Sequence, residues 1–184
     1  VDLIQEQFGL YYVGLFLVDP SGEWAVLRGG TGEVGRRMLE RGHRIRVGEG
    51  MIGWSVDRGE SRFAQQAEED QVRLATPELP KTRAEAALPL RARGQVIGAL
   101  SVQSTEPEFF DQPTVTVLQT MADLLAIAIN NAELFAESEQ ALAAVRRAYG
   151  EISSEAWEEL LRSRGTWGYR YAGECVFPVE GNWA

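Results

Sequence analysis

Apolar positions change period several times along this chain, and each change predicts an element boundary. In VDLIQEQFG (1–9), Ile4 and Phe8 lie at i, i+4 and Gly9 follows, the pattern of the last two turns of a longer helix. YYVGLFLVD (11–19) is apolar at both parities, which predicts a strand covered on both faces. Pro20-Ser21-Gly22 then turns the chain into EWAVLRG (23–29), the returning strand of a hairpin. GRRMLERGHR predicts one or two helical turns ended by Gly42, and Arg44–Val47 an edge strand. MIGWSVDRG (51–59) reads as a short helix with Ile52 and Val56 on one face, and SRFAQQ (61–66) as a short strand. Residues 67–83 are acidic, bounded by proline, and hold one helical turn at most. The sharpest local signal is EAALPLRA and QVIGALSVQS around Arg93-Gly94, a hairpin over 85–105. Ser101 and Gln103 share a strand parity with Ile97 and Ala99, so these four are expected on one face.

From Asp111 the period becomes helical. Val117, Met121, Leu124, Ala128, Asn131, Phe135, Ser138, Leu142, Val145 and Tyr149 follow alternating spacings of four and three, a heptad seam. A second stripe (Leu118, Ala122, Leu125, Ile129, Ala132) runs beside it over the first half only. The helix is therefore expected to serve a sheet and a partner helix early, and the partner alone later. At 1.5 Å per residue, Pro113 to Tyr149 would extend roughly 55 Å, longer than a small domain needs. The polar Asn131 and Ser138 loosen such a seam and also help to set its register. Gly150 is expected to break the helix. Ser153 or Ser154 would cap a second one, SSEAWEELLRSR, ended by Gly165. The tail carries strand-like pieces at Tyr169–Tyr171 and Cys175–Val179.

Composition narrows the chemistry. The 184 residues are 45% hydrophobic and 24% charged, ordinary for a globular chain. Acids outnumber bases 27 to 18, which argues against sequence-independent nucleic-acid binding. No stretch approaches eighteen uncharged apolar residues and no basic-then-apolar leader opens the chain, so neither a membrane span nor a signal peptide is expected. The single cysteine, Cys175, excludes a disulfide framework, a redox pair and a cysteine-built zinc site, and is read as inert. The single histidine, His43, excludes multi-histidine metal sites and is expected to be exposed in a Gly-His-Arg turn. Two G-x-G-x-x-G runs (Gly30-Gly32-Gly35 and Gly48-Gly50-Gly53) lack the parallel sheet and long crossover helix of a dinucleotide site. They are read as glycines that turn the chain and let a helix pack closely. Arg36, Arg37, Arg41, Arg44 and Arg46 crowd eleven residues around His43. Such a cluster can hold phosphate or carboxylate bidentately; the competing reading, which is preferred, is a solvated turn paired with Glu33, Glu40 and Glu49. No nucleophile and base sit in a recognisable arrangement, so no catalysis is expected.

YYVGLFLVDPSGEWAVLRGGTGE, VGEGMIGWSVDRGE and ALPLRARGQVIGALSVQSTEPEFFDQPTVTVLQTMADLLAIAINNAELF together resemble a GAF domain of a bacterial multidomain signalling protein. The resemblance implies an α+β, GAF/PAS-like (profilin-like) fold over 1–135. Its antiparallel sheet of five or six strands would carry the terminal helices on one face and a 30–83 roof over a ligand pocket on the other. Residues 136–165 would be a helical extension and 166–184 a tail that begins a further module. Members that carry bilin, heme or a cyclic nucleotide, or that reduce free methionine sulfoxide, use cysteines, histidines or a lysine-containing pattern not matched here, so the cofactor stays unknown. The expected pocket collects Phe16, Arg46, Met51, Trp54, Phe63, Leu74, Arg83, Ser101 and Gln103. The expected role is a cytoplasmic sensory module that binds a small ligand. It would dimerise through Val117, Met121, Leu124, Ala128, Phe135 and Leu142 and signal to an effector domain such as a histidine kinase. A ligand-free dimerisation module is the alternative.

Overall fold

In the computed structural model the described residues are 1–163, 167–173 and 175–180, with side chains described for 1–160 and Arg162. Helix α1 (Asp2–Phe8) buries Ile4 and stops at Gly9, whose left-handed backbone lets its N–H reach the Gln5 carbonyl. Strands β1 (Tyr12–Val18) and β2 (Trp24–Gly30) form the first hairpin, with Asp19 accepting hydrogen bonds from the Ser21 hydroxyl and the Trp24 N–H across its turn. Then follow α2 (Gly32–Glu40), β3 (Arg44–Arg46), α3 (Gly50–Arg58) and β4 (Arg62–Ala64). Strands β5 (Ala84–Ala92) and β6 (Gln95–Ser104) are the hairpin expected from the sequence. Arg93 and Gly94 both take positive φ in its two-residue turn, which matches strand twist. The six strands form one antiparallel sheet in the order β3-β2-β1-β6-β5-β4.

Each face of this sheet has its own core. On one, Val13, Leu88, Leu100 and Val102 pack with Ile4 of α1 and with Val115, Leu118, Ala122 and Ala126 of the last helix. On the other, Phe16, Leu27, Ala87 and Ala99 pack with Met38 of α2 and with Met51, Ile52 and Val56 of α3. The terminal helices and the roof therefore take opposite faces, as expected. One assignment needs correcting. Leu90 pairs with Gly98 but Arg91 pairs with Val96, so Ile97 has no partner. This bulge turns Ile97 to the helix face and Val96 to the roof face, separating Ile97 from Ala99, Ser101 and Gln103.

The two glycine runs build the same local joint twice. A Cβ on Gly35 would come 2.1 Å from the Gly30 carbonyl carbon, and one on Gly53 would come 2.1 Å from the Arg46 oxygen. The third glycine of each run thus lets the first turns of a helix touch the backbone of the preceding strand.

Helix α4 (Gln112–Ser163) is continuous, which corrects the expected break at Gly150. A single glycine costs a helix about 1 kcal/mol, too little to interrupt a ladder this long. Asp111 caps its start through the Thr114 N–H at 2.9 Å. An 18-residue window within Gln112–Leu160 reaches a mean hydropathy of 1.2, long and apolar enough by composition to cross a membrane. Asp123 interrupts the apolar run, and Leu118, Ala122 and Ala126 of α4 pack on the sheet. The chain divides into two compact units, Val1–Ala132 and Glu133–Ala184. In the second, β7 (Trp167–Ala172) and β8 (Cys175–Glu180) pair antiparallel as a separate two-stranded sheet. Gly165, expected to stop a helix, and the Cys175 side chain lie outside what is described.

Candidate functional site

The roof face of the sheet is polar at one end. Directly paired residues in an antiparallel sheet share a face, so Tyr12, Gln103 and Glu85 form one row and Gly14, Ser101 and Ala87 the next. Glu85, Ser101 and Gln103 are all buried there. The 65–83 connection is strapped over this row. Arg73 Nε donates to Glu85 at 2.7 Å, with both side chains under a tenth exposed. The Thr82 hydroxyl donates to Gln103 at 2.5 Å, and Arg62 holds Asp70 at 3.0 Å. Burial pushes the Glu85 carboxyl above its ordinary value, against the pull of Arg73. Among the described residues, the Tyr12 hydroxyl and Ser101 Oγ are buried without a hydrogen-bond partner. Burial pushes the Tyr12 phenol up to about 12, while Arg41 acts in the opposite direction.

Between β3 and residues 74–77 lies a cavity of about 220 Å³. Its basic wall is Arg41, His43, Arg44 and Arg46; its other wall includes Leu74, Ala75 and Pro77. Arg44 lies over the Trp24 ring at 4.2 Å. Arg41 pairs with Glu78, thirty-seven residues away, rather than with a neighbouring acid. Arg36 does pair locally, with Glu33 at 2.5 Å. His43 is half-buried, its ring edge-on to Phe16 at 6.0 Å between centroids, which corrects the expectation of an exposed turn histidine. Burial, with the nearby Arg41 charge, holds its imidazole below the ordinary value, and Glu78 works against both.

Of the nine expected pocket residues, only Arg46 and Leu74 line this cavity. Phe16 and Met51 are buried in the roof core, and Ser101 and Gln103 lie on the buried polar rows. Trp54, expected under the connection, is half-buried with the Arg62 guanidinium 5.2 Å from its ring centroid. Phe63 is exposed. Arg83 lines a different cavity, of about 350 Å³, with Gln66, Glu68 and Glu69. Trp24 and Glu78 carried no sequence signal for this place. The crowding of five arginines around His43 did.

Known proteins resemble the first unit of this chain. The solved free methionine-R-sulfoxide reductase of Neisseria meningitidis, in complex with its substrate, is 26% identical at a TM-score of 0.59, over 68% of this chain and 70% of its own. That likeness overturns the expectation that the chain is not an enzyme. Enzymes are built on this fold, so the fold by itself does not exclude catalysis. The GAF domain of a Coxiella burnetii phosphoenolpyruvate-protein phosphotransferase is 24% identical at a TM-score of 0.67, over 74% of this chain and 82% of its own. GAF domain-containing protein A of Dictyostelium discoideum is 30% identical over 122 residues, 66% of this chain and 72% of that protein. The GAF_2 model, a GAF domain, matches residues 1–130. GAF domains are in general regulatory, ligand-binding modules, and by this match over most of its length the chain belongs to the GAF domain family.

Proposed function

We propose that this chain is the sensory part of a cytoplasmic signalling protein, in which a small ligand on the roof side of the sheet alters how the terminal helices lie. The observation that supports it is the sharing of strands. β1, β5 and β6 present Phe16, Ala87 and Ala99 to the roof core, and Val13, Leu88 and Leu100 to α1 and the start of α4. Close-packed strands transmit a change at one face to the other. The ligand acts by its difference in affinity for two helix arrangements. The output passes through a homodimer seam of Val117, Met121, Leu124, Ala128, Phe135 and Leu142 to an effector such as a histidine kinase. Val117, Leu124, Phe135 and Leu142 are apolar side chains 45–69% exposed in the single chain, which favours a partner helix.

A ligand screen by thermal shift on the whole chain tests this reading. A ligand at a hundred times its dissociation constant stabilises by ~2.7 kcal/mol. The same ligand should change the distance between spin labels on α1 and on α4 near residue 130. Binding with no change in that distance would remove the relay. A second reading, a ligand-free dimerisation module, is favoured by how fully Phe16, Met38, Met51 and Leu27 fill the roof core.

A further inference from the structure

We propose that the cavity between β3 and residues 74–77 binds a small organic anion with an apolar body, held by Arg44, Arg46 and His43. The inference rests on the sensory reading above and names the ligand class for it.

Charge is the first argument. The lining carries three arginines against one acid, Glu49. Arg41 is occupied by Glu78. Among the described residues, Arg44 and Arg46 meet no carboxylate within salt-bridge distance, although the chain as a whole is acidic. Arg44 is also pre-positioned, because its guanidinium carbon sits 4.2 Å over the Trp24 ring. A planar guanidinium held in place loses less freedom on gripping a carboxylate or phosphate.

The second argument is the opposite wall. Leu74, Ala75 and Pro77 are apolar, and Leu74 is 55% exposed. An inorganic ion alone would leave that wall wet; an anion with an aryl or branched aliphatic body covers it. At about 220 Å³ the space falls below the ~300–1,000 Å³ typical of drug-sized ligands, which suits a small metabolite.

The third argument concerns Arg41. Glu78 Oε2 and the Tyr12 hydroxyl are both buried without a partner among the described residues, and both lie close enough to Arg41 to act on it or be acted on by it. Glu78 is thus an acid from the 65–83 connection already seated on Arg41. An incoming anion meets the two unpaired arginines first. It competes with Glu78 for the third, which links occupancy to the position of the 65–83 roof.

His43 is the sole histidine, so its imidazole Hε1 gives a single assignable resonance at the cavity lining. The test follows that resonance in the full chain by NMR at constant ionic strength. The probes are benzoate, phenyl phosphate and benzyl alcohol. Saturable shifts with either anion, a rise in the His43 pKa when it is bound, and weaker response to benzyl alcohol support the proposal. Arg46→Gln, at an exposed position, should weaken anion binding about tenfold with an unchanged melting temperature. Arg44→Lys should weaken it as well, by losing the planar guanidinium. No saturable response, equal binding of benzyl alcohol, or full binding by Arg46→Gln overturns it. The spin-label distance separates the two readings. Anion binding without movement keeps this site and removes the relay. Movement caused only by a neutral ligand from the screen keeps the relay and removes this site.

Discussion

Arg73 and Glu85 are a buried pair joining the roof connection to β5, and their energetics are asymmetric. Removing one partner leaves an uncompensated charge, so Arg73→Met should destabilise by about 3–5 kcal/mol. Adding Glu85→Leu should recover most of that loss, because both desolvation penalties then vanish. Urea denaturation of the two single variants and the double variant checks this. A double variant no better than Arg73→Met would mean that the pair does more than neutralise itself. His43 makes a pH prediction. Its folded value lies below 6.5, so in acid the unfolded chain binds a proton that the native imidazole still refuses. Stability from this group is complete above pH 6.5 and declines as pH falls below it. Glu85, with a raised folded value, acts in the opposite sense on acidification. Comparing wild type with His43→Gln cancels Glu85. The difference in melting temperature between pH 7.5 and 5.5 should be smaller in the variant.

Glycines of the same kind play unlike parts in the helices. On α3, Gly53 faces the Arg46 carbonyl so closely that any Cβ collides with backbone. Gly53→Ala should therefore cost about 1–3 kcal/mol, as forced overpacking does, seen as a lowered denaturation midpoint. On α4, a Cβ at Gly150 meets nothing within 4 Å. Gly150→Ala should strengthen the helix by about 0.5–1 kcal/mol, read as slower amide exchange around residue 150. The same contrast explains two of the sequence expectations. The closing glycines of the 30–35 and 48–53 runs were legible as packing joints because the steric need is local. The break expected at Gly150 did not occur because a helix end depends on the sum over many turns.

The proposed homodimer has its test beyond the first unit. Leu142 is 45% exposed on α4 and belongs to the expected seam but not to the sheet-facing stripe. Leu142→Glu should shift sedimentation from dimer toward monomer, with far-ultraviolet circular dichroism of the 1–132 unit little changed. A wild-type chain that sediments as a monomer at high micromolar concentration would remove the seam. The stripe Leu118 and Ala122 could be recognised as core-facing from spacing alone, since helix periodicity places them on one side whatever they meet.

Local sequence was sufficient where the physics is local. Turn residues at Pro20–Gly22 and Arg93-Gly94, the 3.6-residue period after Asp111 and the stop at Gly9 marked most elements of the first unit, and the motif pattern named the family. Three features needed chain segments far apart to meet. The Ile97 bulge is set by pairing with β5, and it reverses a parity that sequence counting treats as continuous. Arg41 found Glu78 across thirty-seven residues, passing over the nearer acids that spacing offered. The cavity exists because the edge strand β3 lies beside residues 74–77, a stretch with no periodicity to reveal its path. Five arginines in eleven residues announced a strong positive field, but whether it would be neutralised, solvated or turned toward a cavity depended on which carboxylates folding brought within 4 Å.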